Sequence, residues 1–352
     1  MLNIGIIGAG HISESHIKSY LENGNCVIRA IADLNLKNAQ SRAAEFGIEK
    51  VYSDYREILK DESIDAVSVA TPTFTHKDIV IEALKSGKNV LCEKPPALNA
   101  EEVKACAEVA KSTGKLLMYG FVLRYRSETE YLKKYINEGK MGAFVSAECV
   151  RVLRCSGSQA WFGSRAKGGG ILRDVAIHEI DNVLYLMGYP KPKVVVANQS
   201  FLNKDLPERY GQAGYKSFDT NKYVNDVESS IEGFITLDNG ASIRVKAATV
   251  LNAVQPDYYI DISGEKAGAK IQKGVAGDND LKILEVGENC YLESVPLLDK
   301  KIPFRQQINH FVDCCISGAE CVCKPEQAVA VMQIIDAMYE SANTGNPVIF
   351  SH

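Results

Sequence analysis

Apolar residues in the first third of the chain form short runs, separated by stretches in which they recur every three or four positions. Leu2 to Ile7 and Cys26 to Ala32 are runs with few polar breaks, as in strands buried on both faces. Between them Ile17, Tyr20 and Leu21 fall at helical spacing. The alternation continues, predicting helices over 37–46, 55–59, 77–86 and 100–112 and strands over 51–52, 66–70, 89–92 and 115–120. Strands alternating with helices of this length predict a mostly parallel, doubly wound sheet.

Beyond residue 120 the pattern changes. A connecting helix is expected over 124–139 and a long alternating strand over 143–153. Residues 154–167 read as a loop, and a glycine run then enters a helix that carries His178. Strands follow over 193–201, 227–237, 241–249, 258–263, 269–272, 281–286 and 290–294. Asp238-Asn239-Gly240 marks a hairpin between two of them. Helices over 305–316 and 326–342 and a short strand at 348–350 close the chain. The polar connection 202–225 has the length of a lid or a subunit-contacting arm. The expected division is a dinucleotide-binding domain over 1–120 and an α/β domain with an open, mostly antiparallel sheet over 121–352. The His178 helix covers one face of that sheet. The other face, with Ile231, Gly233 and Ile235 or their neighbours, then needs a partner, so a homodimer or homotetramer through this sheet is expected.

Composition narrows the function classes. The 352 residues carry a formal net charge of -4, which lacks the basic footprint of a nucleic-acid binder. No apolar run reaches bilayer length, and the amino terminus enters a strand without a basic leader. The ten cysteines are scattered, and Cys314-Cys315 and Cys321-Val322-Cys323 lack the two-residue gap of zinc or redox pairs. They read as reduced thiols in the cytoplasm, with no metal site expected.

The first strand ends in Gly8-Ala9-Gly10-His11-Ile12-Ser13, a GxGxxG pattern with serine third. Gly8 permits the tight turn, and Gly10, with His11 and Ile12 at the helix start, lets backbone amides approach a pyrophosphate. Asp33 ends the second strand, where a carboxylate can bind an adenosine ribose; it could also serve as a helix N-cap. Leu34, in place of an arginine, favours NAD, while Lys37 and Arg42 keep NADP open. Thr71-Pro72 with His76, and Glu93-Lys94-Pro95, lie at the carboxyl ends of later strands, the edge where such sheets bind ligands. Lys94 is held before two prolines, which suits a positioned cation. Farther on, Asp174, His178 and Asp181 fall at helical spacing after Gly168-Gly169-Gly170. Trp161 and Arg165 precede that run, as ligand contacts or as loop packing.

These motifs resemble the glucose–fructose oxidoreductase, inositol dehydrogenase and MocA-type (Gfo/Idh/MocA) oxidoreductases. The resemblance rests on Gly8-Ala9-Gly10, Ala70-Thr71-Pro72 with His76, Glu93-Lys94-Pro95, Gly120-Phe121 with Arg124, and Gly168-Gly169-Gly170 with Asp174, His178 and Asp181. It covers nearly the whole chain; Ser13 and Ala176, where glycine is common, are mild departures. It implies hydride transfer between a nicotinamide and a secondary hydroxyl or ketone of a sugar, sugar derivative or cyclitol, with Lys94, Asp174 and His178 lining the catalytic pocket and no metal. Arg124, Trp161 and Arg165 join Asp174 and His178 as candidate substrate contacts. His178 would take the hydroxyl proton and Lys94 hydrogen-bond the oxygen, or the two roles are exchanged. A redox-assisted glycosidase holding NAD tightly and a non-catalytic dinucleotide sensor are the alternatives on the same fold.

Overall fold

The computed structural model describes residues 1–153, 160–201, 226–249, 257–273 and 279–351. The 202–225 connection and loop residues 154–159 lie outside them. The chain divides into two compact units. One joins Met1–Tyr125 with Lys301–Val329, and the other joins Arg126–Lys300 with Ala330–His352.

The first unit is built on six parallel strands: β1 (Leu2–Ile7), β2 (Cys26–Ala32), β3 (Lys50–Tyr52), β4 (Ala66–Val69), β5 (Asn89–Cys92) and β6 (Leu117–Tyr119). Their order is β3-β2-β1-β4-β5-β6, so the strand order reverses beside β1. Helices α1 (His11–Leu21), α2 (Leu36–Phe46), α3 (Arg56–Lys60), α4 (His76–Lys85) and α5 (Ala100–Thr113) connect them. The expected doubly wound sheet is present, and the apolar runs of β1, β4 and β5 are buried as their composition requires.

The second unit starts with α6 (Ser127–Asn137), β7 (Phe144–Val152), α7 (Ile177–Met187) and β8 (Pro192–Ser200). Strands β9 (Ser230–Leu237), β10 (Ser242–Ala248), β11 (Asp257–Gly264), β12 (Ala267–Lys273), β13 (Asn279–Val286) and β14 (Tyr291–Ser294) follow. After α8 (Pro303–Ser317) and α9 (Pro325–Thr344), β15 (Val348–Ile349) joins the edge of the sheet. The nine strands run β14-β13-β12-β11-β7-β10-β9-β8-β15, all antiparallel except β10 with β7. Gly240, at φ +86°, makes the expected β9–β10 turn.

Two sequence expectations need correction. Ile231 and Ile235 lie on the covered face of the sheet, fully buried. A Cβ on Gly233, between them, would meet the Met338 methyl of α9 at 2.7 Å, so α9 packs over this register. The opposite face is the open one. Its central cross-strand row is Val196, Phe234, Arg244, Glu148, Asp261, Lys270 and Lys282. Charges of both signs dominate it, as in the Arg244–Glu148 pair at 2.7 Å. Burial pushes the Asp261 carboxyl above its ordinary range.

The second correction concerns α8, which the sequence pattern left in the second domain. It packs against α1 and β1 of the first unit. Phe311 and Val312 are fully buried on it, and its N-terminal turn puts the Phe304 ring 5.9 Å from that of His16. A helix of 15 residues is held mainly by such an apolar face. Phe311→Ala should therefore lower unfolding free energy by about 3–5 kcal/mol in urea titrations, whereas Ile316→Ala, at a 54%-exposed site, should move it by less than about 0.5 kcal/mol. Equal effects of the two would contradict this packing.

Candidate active site

The first unit assembles its polar groups at the carboxyl ends of the strands. Gly8 has φ +99°, and a Cβ there would sit 2.5 Å from the Ala70 carbonyl oxygen. Only glycine lets β1 and the end of β4 approach this closely. Gly10 is different: nothing stands within 4 Å of the position its Cβ would take. It is exposed at the N-cap of α1, where no side chain caps the first-turn amides. An open, uncapped helix terminus beside a glycine turn fits a dinucleotide pyrophosphate. His11 and Ile12 open that helix, and Ser13 is buried with its hydroxyl donating to the Gly10 carbonyl at 2.7 Å.

Asp33 holds the turn from the neighbouring strand. Its Oδ2 accepts from Ala9 N–H and its Oδ1 from Asn35 N–H, both at 2.8 Å. Asn35, not Asp33, is the N-cap of α2. The capping alternative for Asp33 is thereby removed, and its half-exposed carboxylate stays at the sheet edge. Arg42, which kept a 2′-phosphate open, is paired with Glu14 at 3.0 Å and Glu45 at 2.9 Å. Leu34 is 91% exposed beside Asp33.

Thr71 and Pro72 are half-buried at the end of β4. His76 and Glu93 are buried, and each ties loops together. His76 places Nδ1 2.8 Å from the Pro95 carbonyl and Nε2 2.8 Å from the Thr71 carbonyl. Using both acceptors needs the protonated ring, yet burial pushes this imidazole below its ordinary pKa. Glu93 Oε1 faces His16 Nε2 at 2.8 Å, and His16 Nδ1 faces the Ser68 hydroxyl at 2.7 Å. With Glu93 as carboxylate, Nε2 donates and Nδ1 accepts from Ser68. Glu93 Oε2 also accepts the Lys94 N–H at 3.1 Å. A Cβ on Gly120 would come 2.9 Å from Glu93 Oε1, so that glycine leaves room for the carboxylate. Lys94 follows, half-buried, and the Lys94–Pro95 peptide is cis. His16 went unnoticed in the sequence because a histidine on a helix face has no neighbour there to betray Glu93, 77 residues away.

In the second unit a buried carboxylate organises the glycine run. Glu228, with no exposed surface, accepts from Leu172 N–H at 3.1 Å and from the Tyr339 hydroxyl at 2.9 Å. Arg165 reaches the same carboxylate at 3.4 Å. Arg165 and Arg173 both stack on the Tyr339 ring, 4.7 and 5.1 Å from its centroid. A Cβ on Gly170 would lie 2.8 Å from Glu228 and Tyr339, and one on Gly169 only 2.0 Å from the Phe162 carbonyl. The entrance is thus a π-helical turn, Ile171–Ala176, that runs into α7. The expected single α-helical stripe is corrected accordingly: Asp174 lies in the π turn, whereas His178 and Asp181 lie in α7. Asp174 and His178 are half-buried. Asp181 is buried and accepts from the Tyr189 hydroxyl at 3.1 Å.

The proposed substrate contacts divide similarly. Arg124 is 1% exposed; its Nη1 donates to the Val322 carbonyl at 2.5 Å and to Gln327 Oε1 at 2.6 Å, and it stacks over Phe121. Arg165 is engaged with Glu228, Gln199 and Tyr339. Trp161 is half-buried in the 3₁₀ turn Ala160–Gly163.

Comparison with known proteins places this architecture. The model of the oxidoreductase family's NAD-binding Rossmann fold matches residues 2–121, and that of its C-terminal α/β domain matches 133–350. The chain is 30% identical to D-glucoside 3-dehydrogenase of Escherichia coli, over 99% of this chain and 97% of that protein. It is 28% identical to inositol 2-dehydrogenase of Rhizobium meliloti, over 97% and 96%. The solved structure of levoglucosan dehydrogenase in complex with NADH superposes with a TM-score of 0.85 at 24% identity, covering 100% of this chain and 99% of that one. With both family domains matched in order along the chain, the protein belongs to the Gfo/Idh/MocA oxidoreductase family and is an NAD-binding oxidoreductase.

Proposed function

We propose that the protein is an NAD-dependent dehydrogenase that interconverts a secondary hydroxyl and a ketone on a sugar, sugar derivative or cyclitol. The observation that carries this reading is the presence in one chain of an open dinucleotide cradle at Gly8–Gly10 and of half-buried Lys94, Asp174 and His178. The relatives named for glucoside and inositol substrates support the substrate class. Residues 1–120 carry the cofactor, through Gly8, Gly10, His11, Ile12, Asp33, Thr71 and Pro72, and 121–352 carry the substrate, apart from α8, which packs with the first unit. His76, Glu93 and Arg124 act by holding the loops that present these contacts.

NAD, when bound, supplies the two-electron acceptor for a hydride. The residues manage the proton and the oxygen. His178 removes the hydroxyl proton, and the Lys94 ammonium stabilises the charge that develops on that oxygen. Asp174 orients His178 or binds a neighbouring hydroxyl. Lys94→Ala and His178→Ala should each lower turnover by about 10²–10⁴-fold, with NAD affinity changed less than about tenfold. Near-normal turnover in both variants would remove the assignment.

Asp33, with Arg42 already paired to two carboxylates, favours NAD over NADP. Absorbance of the reduced cofactor should rise when pure protein is incubated with NAD and a member of a panel of glucosides, anhydrosugars and inositols, and rise far less with NADP. Silence across the panel, with tight NAD binding in calorimetry, would move the reading to a redox-assisted glycosidase.

The cytoplasm suits a chain whose nine described cysteines are all thiols, none of them in a disulfide. A homodimer or homotetramer through the open sheet face is supported by Val196, Phe234 and Leu284, which are 44–46% exposed among its charges. Light scattering at micromolar concentration should give at least twice the 38.6 kDa chain mass, and a monomer would contradict it.

A further inference from the structure

His310 and Cys314 lie four residues apart on α8 and therefore share a face. Gly318 ends that helix in the left-handed conformation, φ +68°, and turns the chain back. Three residues later Cys321 arrives against the same face. Cys314 Sγ is 3.4 Å from His310 Nε2, and one donor atom from each of His310, Cys314 and Cys321 lies within 4.8 Å of the other two. Tetrahedral zinc, with bonds of about 2.1 Å to nitrogen and 2.3 Å to sulfur, separates its ligand atoms by roughly 3.6–3.8 Å. Small side-chain movements suffice to close the set around an ion.

The surroundings prepare the ligands. Val322 N–H donates to His310 Nε2 at 3.0 Å, so that nitrogen already carries the unprotonated lone pair a metal needs. The Tyr125 ring braces the imidazole, with centroids 5.8 Å apart. His310 and Cys321 are partly exposed, which leaves an entry path and a fourth position for water, while Cys314 is buried. The cluster is also away from the dinucleotide edge. Asn309 accepts from Asn23 Nδ2 at 2.7 Å, and Asn23 lies in the turn between the end of α1 and the start of β2. That turn is at the amino edge of the sheet, opposite Gly8 and Asp33.

We propose that His310, Cys314 and Cys321 form a binding site for a soft divalent metal ion of the zinc class, separate from the site of hydride transfer. Two thiolates and an imidazole are the ligand set that selects zinc over magnesium or calcium. On binding, each thiol gives its proton to solvent and its sulfur forms a metal bond, with no change of oxidation state. Coordination through Nε2 replaces the Val322 N–H bond. Because the Val322 carbonyl is held by Arg124, the ion fastens the Gly318–Val322 turn between α8 and the buried segment that follows β6.

The test uses the full chain, reduced and then freed of metal by chelation. Zinc titrated against a chromophoric chelator should bind at one equivalent per chain with a dissociation constant below about 1 μM. Cobalt in its place should give thiolate-to-metal charge-transfer absorption and the intense visible bands of a tetrahedral site. Cys321→Ser and Cys314→Ser should each weaken zinc binding at least 100-fold and abolish the charge-transfer band, while Cys290→Ser, in exposed β13–β14 sequence, should leave both intact. Cys321→Ser alters a partly exposed turn, and unchanged circular dichroism and NAD affinity in that variant establish that it folds. No saturable zinc binding by the reduced chain would overturn the site. So would binding indifferent to Cys321→Ser, or a Cys314–Cys321 disulfide forming in air while the reduced chain binds no zinc.

Discussion

The first unit depends on one close approach: the Gly8 turn lies against the Ala70 carbonyl with no room for a Cβ. That contact brings the end of β1 beside the end of β4, where the strand order reverses. A crevice forms at such a point because the connections leave the sheet to opposite faces. Everything at that edge is then arranged by hydrogen bonds between loops. Asp33 fixes the glycine turn through the Ala9 amide, His76 ties the loop after β4 to the loop after β5, and Glu93 anchors the backbone of Lys94. The half-exposed groups at the edge are therefore presented by buried ones behind them. A side chain held this way loses little freedom when it meets a ligand, the physical content of pre-organisation.

The second unit solves a similar problem with charge. A glycine run is flexible in isolation, and a π turn is an uncommon way to begin a helix. Here the buried Glu228 carboxylate accepts the Leu172 amide, and Tyr339, Arg165 and Arg173 pack around it. A carboxylate without exposed surface is costly unless its oxygens are satisfied, and these partners satisfy them. Burial and the adjacent Glu228 push the Tyr339 hydroxyl well above its ordinary pKa, which keeps it a neutral donor. The result is a closely packed entrance that leaves Asp174 and His178 as half-buried members of a largely buried helix start.

The three groups proposed as metal ligands come from different local structures, which spacing along the chain does not relate. A search for paired cysteines two residues apart passes over His310, Cys314 and Cys321, since two sit on one helical face and the third returns from the turn after Gly318. Helical periodicity alone relates His310 to Cys314. The position of Cys321 depends on the left-handed cap and on the hydrogen bonds that hold Val322 between His310 and Arg124.

The alternating strands and helices of the first unit, the antiparallel character of the second sheet, the glycine turn and the motifs carrying Lys94, Asp174 and His178 can all be read from the amino-acid order. These are legible because each rests on local periodicity, on a residue's own backbone freedom, or on a motif contiguous in the chain. It takes the folded chain to show that Asn35 rather than Asp33 caps α2, that α8 packs with the first unit, that Ile231 and Ile235 face α9, and that Arg124, Arg165 and Asp181 are held by neighbours within their own units. Those outcomes turn on which distant side chains satisfy a buried donor or charge. The partners range from Tyr189, eight residues from Asp181, to Val322, 198 residues from Arg124, and no periodicity along the chain encodes their meeting.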